Sequence, residues 1–449
     1  MKPWIRICAS AAVLTAALLL APDTHAQSPG SIQNRAESIK NEIMPRVSEL
    51  RGLEFTGDVK IKVVSHREVR AYAGKAYDEE VTPDEALAAE RILTYMGLLA
   101  PGTDLRETLL AAHEQQVSGF YDPKEKTLYL VVDSQTPREV EPMTIAHELT
   151  HALQDQHYDL DRLIKCAKGN DDLGLAIMSV AEGDAVDVMM RYAAKFQPRG
   201  QGPPMDFAPF IAFSTGSESL ASLPMCVAQN LTFPYTCGSR FVAEVIKTGG
   251  VKAVDAAFVT PPLSTEQVMN FRKFAGKDEP YIVDLPDLSP ELGKGWRQLD
   301  QMPLGQFNLG LYLANSIGSW GIDEVIEPWK GDSVAGYSGP APDDFVFVYC
   351  STWDSESAAA KFAGMYRRLI ETRFPDAEVR TDTVRGVTWR RGQLLYCLRT
   401  LGADVVSVEN LPIGAAAEVM ARTGTVRKAP VTVAHPTPDA VRTRPTDGD

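Results

Sequence analysis

The sequence predicts an α+β protein in two parts: a mostly helical domain with a small sheet over 27–280, and a smaller α+β domain over 285–427. Three observations carry this. Before residue 200, apolar residues recur at three- and four-residue spacings over long stretches. Two strand-like runs at 119–121 and 127–132 flank the turn-forming stretch Asp122-Pro123-Lys124-Glu125-Lys126 and read as a hairpin. Around 276–300 the chain turns to Pro, Asp and Gly, and beyond it strand-like runs dominate. A length of 449 residues, 44% of them hydrophobic and 23% charged, is enough for more than one independent core. Lys and Arg total 45 against 59 Asp and Glu, a net charge of −14. With no long basic run, nucleic acid is excluded as an expected partner.

In chain order, Lys2 and Arg6 precede an apolar run over 7–21 and the small-x-small sequence Thr24-His25-Ala26. This is the layout of a secretory signal peptide over 1–26, cut near Ala26. The run is shorter than the roughly 20 residues of a membrane span. The chain is therefore expected to be exported, periplasmic or extracellular, with no stable membrane insertion. Cleavage removes Cys8 and leaves Cys166, Cys226, Cys237, Cys350 and Cys397. In an oxidising compartment the pairs Cys226–Cys237 and Cys350–Cys397 are expected, with Cys166 left over, although spacing alone does not fix connectivity. No C-x-x-C occurs, so a cysteine zinc site has no support.

Ile32, Ala36, Ile39, Ile43 and Val47 predict a helix over 31–51, and Val59, Ile61, Val63 and Val64 a strand. Thr82-Pro83-Asp84-Glu85 opens a helix running to about Leu98: a cap, Pro in the first turn, then acids. Helices follow the hairpin over 141–155 and 172–196, then a loop at 197–206 and shorter helices over 207–275. The second part carries helices over 305–318 and 355–373, and strands near 345–349, 388–389, 394–398 and 405–409. Residues 428–449, rich in Pro and Thr, are expected to be a disordered tail.

The chemistry concentrates in His147-Glu148-Leu149-Thr150-His151. Residues four apart share one helical face, about 5–6 Å between Cβ atoms, so two imidazoles can bind one zinc. Glu148 then projects beside the ion, where it can accept a proton from water. Catalytic zinc keeps three protein ligands and an open position. Glu182 lies within an otherwise apolar helical stretch, where a carboxylate is costly unless compensated; zinc is the natural compensation. The alternative is a polar helix face shared with Asp184 and Asp187. Gly183 removes side-chain bulk where two helices or a metal must approach closely. Asp155 extends the face of His147 and His151; it either accepts the second N–H of a ligand histidine or faces solvent. His113, His157 and Tyr235 are weaker candidates for stabilising the transition state.

On these residues the sequence resembles the gluzincin group of zinc metallopeptidases, which share thermolysin-like and aminopeptidase-like cores. His147-Glu148-Leu149-Thr150-His151 matches the group's first motif, and Ala181-Glu182-Gly183-Asp184-Ala185 looks like its second. The resemblance implies a zincin-like metallopeptidase domain, one Zn2+ per chain on His147, His151 and Glu182, Glu148 as general base, and a peptide or protein substrate. It also implies that a strand just before the active helix holds the substrate by main-chain pairing, and 127–132 stands at that place. His157 fits the competing metzincin arrangement by residue type, but Gln154 stands where that pattern has Gly. Stretches 233–242 and 261–267 look like parts of an exported bacterial family carrying this motif. The resulting expectation is a secreted or periplasmic zinc-dependent metallopeptidase. The alternatives are an exported binding or assembly protein with a non-catalytic zinc, and zinc-dependent hydrolysis of something other than a peptide.

Overall fold

The computed structural model describes residues 29–132, 142–196 and 218–433. The expected signal peptide, the loop at 197–206 and the end of the tail at 434–449 lie outside the described residues. The first part comprises α1 (Pro29–Arg51), β1 (Lys60–Val64), α2 (His66–Glu80), α3 (Pro83–Tyr95), α4 (Leu105–Gln116), β2 (Gly119–Asp122), β3 (Thr127–Val131), α5 (Pro142–Tyr158), α6 (Leu160–Cys166) and α7 (Asp171–Phe196). It continues with α8 (Glu218–Ala221), α9 (Met225–Gly249), α10 (Lys252–Val259), α11 (Thr265–Met269) and α12 (Phe271–Ala275). The second part holds β4 (Tyr281–Asp284), α13 (Ser289–Leu292), β5 (Arg297–Met302), α14 (Gly305–Ile317), α15 (Ile322–Ile326), β6 (Trp329–Ser338), β7 (Phe345–Trp353) and α16 (Glu356–Arg373). It closes with β8 (Glu378–Thr383), β9 (Gly386–Arg391), β10 (Leu394–Leu401), β11 (Asp404–Pro412), α17 (Ala416–Arg422) and β12 (Arg427–Pro430). The fold is α+β. No helix among the described residues is long and apolar enough to cross a membrane.

Three helices form the heart of the first part. Ala36, Ile43 and Val47 of α1 pack with Ile145, Leu149 and Leu153 of α5 and Val188 of α7 in one apolar cluster. A small sheet ordered β1-β3-β2 lies beside them, β1 parallel and β2 antiparallel to β3. Thr82 and Glu85 form the reciprocal cap read from the sequence, and α2 opens on the same device, Ser65 with Glu68. The second part is a seven-stranded antiparallel sheet, β5-β6-β7-β11-β10-β9-β8, with α16 against one face.

Several expectations are corrected. Residues 225–249 are one 25-residue helix, not short ones, and it carries Pro234 within it. The tail does not begin at Lys428: β12 pairs with β4, and Val431 and Val433 are buried in an apolar cluster with α7 and α9. Neither expected disulfide exists. Cys226 and Cys237 sit on one helix eleven residues apart, a rise of about 16 Å, where bridged Cα atoms stand within about 7 Å. Cys350 on β7 and Cys397 on β10 are separated by β11, about 10 Å across. The five cysteines among the described residues are free thiols.

The stretch at 276–300 is no break in the packing. Ile92, Leu93 and Met96 share a core with Phe347, Tyr349 and Tyr366 from the second part. Asp172 of α7 is buried at the same junction, accepting hydrogen bonds from the Thr265 hydroxyl and, at 3.1 Å, its N–H. A Cβ on Gly305 would fall 1.8 Å from Asp172 Oδ1, and Gly305 has φ +74°, so only glycine fits there. Asp332 is buried nearby, accepting from Leu304 N and Gly305 N at 3.0 Å each. Burial pushes Asp172 up to about 7, with the Asp332 charge adding to it, and burial pushes Asp332 up to about 6. Carboxyls with raised folded pKa values stabilise fully below the unfolded value of about 4, and that contribution is lost as pH rises through about 6 to 7. Asp172→Asn keeps an acceptor for Thr265 and removes the charge. It is expected to raise stability at about pH 8 and flatten the pH dependence in urea melts between about pH 5 and 8; an unchanged slope would contradict this.

Candidate metal centre

Helix α5 is buried along its whole middle, from Met143 to Asp155, so the polar groups it carries there must be satisfied inside the protein. Its two histidines meet Glu182 from α7. His147 Nε2 and His151 Nε2 stand 3.1 Å apart, and Glu182 Oε2 lies 3.3 Å from the first and 3.6 Å from the second. Two donors about 2.0–2.1 Å from one tetrahedral zinc stand about 3.3 Å from each other. The three edges bracket that figure. All three side chains are buried, and they are the group among the described residues able to hold a metal ion.

The electrostatics point the same way. Burial alone would raise the Glu182 carboxyl, yet the imidazoles of His151 and His147 draw it down to about 2. Burial pushes His147 below the ordinary imidazole value; burial is also the largest single influence on His151, but the charges of Glu182 and Glu148 and the close polar contacts with Glu182 and Gln154 together lift it above that value. A pocket that favours positive charge on an imidazole favours a divalent cation more strongly. Glu148 is fully buried beside the pair. A Cβ on Gly119 would stand 2.9 Å from Thr144 Cγ2 and 3.5 Å from Glu148 Cγ, so glycine lets β2 lie directly against this turn of α5.

Placement of Glu182 depends on how closely α7 meets α9. A Cβ on Gly183 would stand 2.3 Å from Gly238 O, and one on Gly238 the same distance from Ser179 O. The helices cross backbone to backbone, as the sequence reading of Gly183 anticipated. The crossing brings Tyr235 of α9 over His147, ring centroids 6.3 Å apart and nearly parallel.

Asp155 does not touch a ligand histidine. Its Oδ2 accepts from Tyr121 OH at 2.8 Å and Lys126 Nζ at 2.6 Å, and its Oδ1 from Leu160 N at 3.1 Å. Eight residues beyond His147 the helical face has rotated toward the hairpin, and Asp155 ties that hairpin to α5. The partner of His151 is Gln154, whose Oε1 lies 2.9 Å from Nδ1. Gln154 was legible as a residue one turn beyond His151, but its role depends on Asp184 and on Arg51, which lies about a hundred residues away in sequence. His157 points elsewhere, to Glu54 O at 2.8 Å, which removes the metzincin-like third ligand. His113 is buried on α4 with Nδ1 at 2.7 Å from Leu109 O, outside the group. The strand at Thr127–Val131 pairs with β1 on one side and β2 on the other, so it has no free edge for a substrate. Among the described residues the edge strands of this sheet are β1 and β2.

Residues 297–420 match a family described as a domain of unknown function (DUF8575), which spans β5 through most of α17. No curated protein matches. A solved structure from Chloroflexus aurantiacus, provisionally described as a hydrolase with a novel fold, aligns with a TM-score of 0.38 at 15% identity, covering 62% of this chain and 98% of its own. At that level the likeness carries no argument about fold or reaction.

Asp155→Asn separates the two roles considered for that residue. It is expected to cost about 1–3 kcal/mol of stability through the Lys126, Tyr121 and Leu160 contacts, and to leave metal affinity unchanged. A loss of affinity in the 10–100-fold range typical of a histidine's hydrogen-bond partner, measured by competition with a chelator, would contradict this assignment.

Proposed function

We propose that the protein is an exported zinc-dependent metallopeptidase of zincin-like fold, with zinc on His147, His151 and Glu182. The observation that supports this most directly is the donor triangle with edges of 3.1, 3.3 and 3.6 Å, built from a helical His-Glu-x-x-His and a buried glutamate. Three protein ligands leave a tetrahedral ion one position for water or substrate. The signal-like segment at the start of the chain supports export.

Zinc bound there supplies Lewis acidity toward a carbonyl and lowers the pKa of water. The chain's own residues do the rest. Glu148, one step from His147 on the helix, accepts a proton from the attacking water and delivers it to the leaving amine. Strand β2 offers a place for an extended peptide. Val131 N donates to Ser118 O at 2.9 Å, and the alternation of an antiparallel ladder then turns the backbone N–H and C=O of Gly119 and Tyr121 away from β3. Among the described residues no strand pairs with that edge, which runs beside Glu148. Strand addition there would hold a peptide by main-chain bonds without demanding a particular sequence.

Selectivity has a candidate in an adjoining cavity of about 910 Å³, its open mouth included, which His151 helps to wall. Leu160, Ile177, Met178 and Phe258 make its interior apolar, and the ion pairs Lys124–Glu80 and Lys165–Asp161 stand at its rim. A cavity of this kind suits an apolar side chain flanking the cleaved bond.

Glu148→Gln is expected to bind zinc like the wild type and to hydrolyse a fluorogenic peptide library about 10²–10⁴-fold more slowly. Undiminished hydrolysis would remove Glu148 as the base. A zinc-loaded wild type that binds peptides without cleaving any would favour the exported binding protein instead.

A further inference from the structure

Behind His151 lies a chain of buried polar groups that the catalytic proposal does not use. Gln154 Nε2 donates to Ala181 O at 3.0 Å and to Asp184 Oδ2 at 2.9 Å. The same Asp184 oxygen accepts from Arg51 Nε at 2.8 Å, and Arg51 Nη2 pairs with Asp255 at 2.7 Å. Gln154 and Asp184 are fully buried and Arg51 is 1% exposed. The network joins α1, α5, α7 and α10.

Its donor and acceptor arithmetic has one solution. A main-chain carbonyl and a carboxylate can only accept, so both must face the NH2 end of the Gln154 amide. The amide carbonyl is then forced toward His151 Nδ1 at 2.9 Å. A carbonyl also only accepts, so Nδ1 must carry a hydrogen. In a neutral imidazole this leaves the lone pair on Nε2, the atom that faces His147 and Glu182. Arg51 sets its guanidinium against Asp184 inside this buried network. The orientation is thus set by a main-chain carbonyl and a carboxylate two steps away, while the group touching the histidine is a neutral amide. The only charged protein ligand remains Glu182.

We propose that Gln154, locked in one amide orientation by Ala181 O and by Asp184 with its partner Arg51, is the positioning residue that presets His151 as its Nδ1–H tautomer and so aims the Nε2 lone pair into the donor triangle. Why this matters rests on the metal reading above; the tautomer itself is a property of the metal-free chain.

The test is a nitrogen-15 spectrum of the imidazoles in the metal-free full chain at alkaline pH, where the rings are neutral, alongside zinc affinity measured by chelator competition. The wild type is expected to show His151 protonated at Nδ1 and bare at Nε2. Gln154→Met keeps the volume and removes the acceptor, so His151 should shift toward the Nε2–H form and zinc affinity should fall about 10–100-fold. Asp184→Asn removes one of the two fixed acceptors and leaves Ala181 O to hold the Gln154 amide, so it should weaken the Nδ1–H preference less than Gln154→Met does and give an intermediate affinity. A wild-type His151 protonated at Nε2 would overturn the proposal without any variant. So would an Nδ1–H tautomer that survives Gln154→Met. A tautomer that moves as expected in a chain with no zinc affinity would uphold the preset and defeat the metal reading instead.

Discussion

Glu182 is a carboxylate 1% exposed on a helix whose buried residues are mostly apolar but include Asp171, Asp172, Ser179 and Asp184. Removing such a charge from water costs several kcal/mol unless it is closely compensated. The two imidazoles of α5 compensate the charge, but they meet the carboxylate at 3.3 and 3.6 Å and leave its Oε2 without a hydrogen bond of ordinary geometry. A divalent cation between the three groups satisfies all of them together. The positions of α5, α7 and α9 are intelligible as the means of holding that convergence to within a few tenths of an ångström.

The scaffold does so from three sides. The crossing at Gly183 and Gly238 fixes the height and rotation of α7, because neither position has room for a Cβ. The salt bridge from Arg51 to Asp184 ties the end of α1 to the same helix two residues past Glu182. Lys126 and Tyr121, converging on Asp155, hold the β2–β3 hairpin against the far end of α5. Each device uses a buried polar or glycine contact that tolerates little displacement, whereas the apolar clusters around them could accommodate substitution.

Much of this was legible because it is local. The spacing of His147 and His151, the apolar surroundings of Glu182, the cap at Thr82, and the turn between β2 and β3 all act over a few residues. The helix over 66–80 had an equally local signal, Ser65 with Glu68, that went unread. What the sequence hid depends on long-range geometry. Asp155 lies on the ligand face by helical counting, yet the hairpin reaches it first. Arg51 meets Asp184 across more than a hundred residues. Cys226 and Cys237 looked like neighbours around a Pro-rich turn because Pro234 suggests one; the helix continues through it, and the two thiols separate along its axis. The core shared by α3, α14, α16 and the large sheet likewise joins segments that a composition shift near residue 280 made look independent.

The central claim is that three named side chains together hold one ion. Elemental analysis of the purified, folded chain by inductively coupled plasma mass spectrometry, with His151→Ala and Glu182→Gln alongside, tests it directly. The account predicts one zinc per chain in the wild type, lost or sharply weakened in both variants. Full zinc retention in Glu182→Gln, or a well-folded wild type that takes up none when zinc is offered, would contradict it.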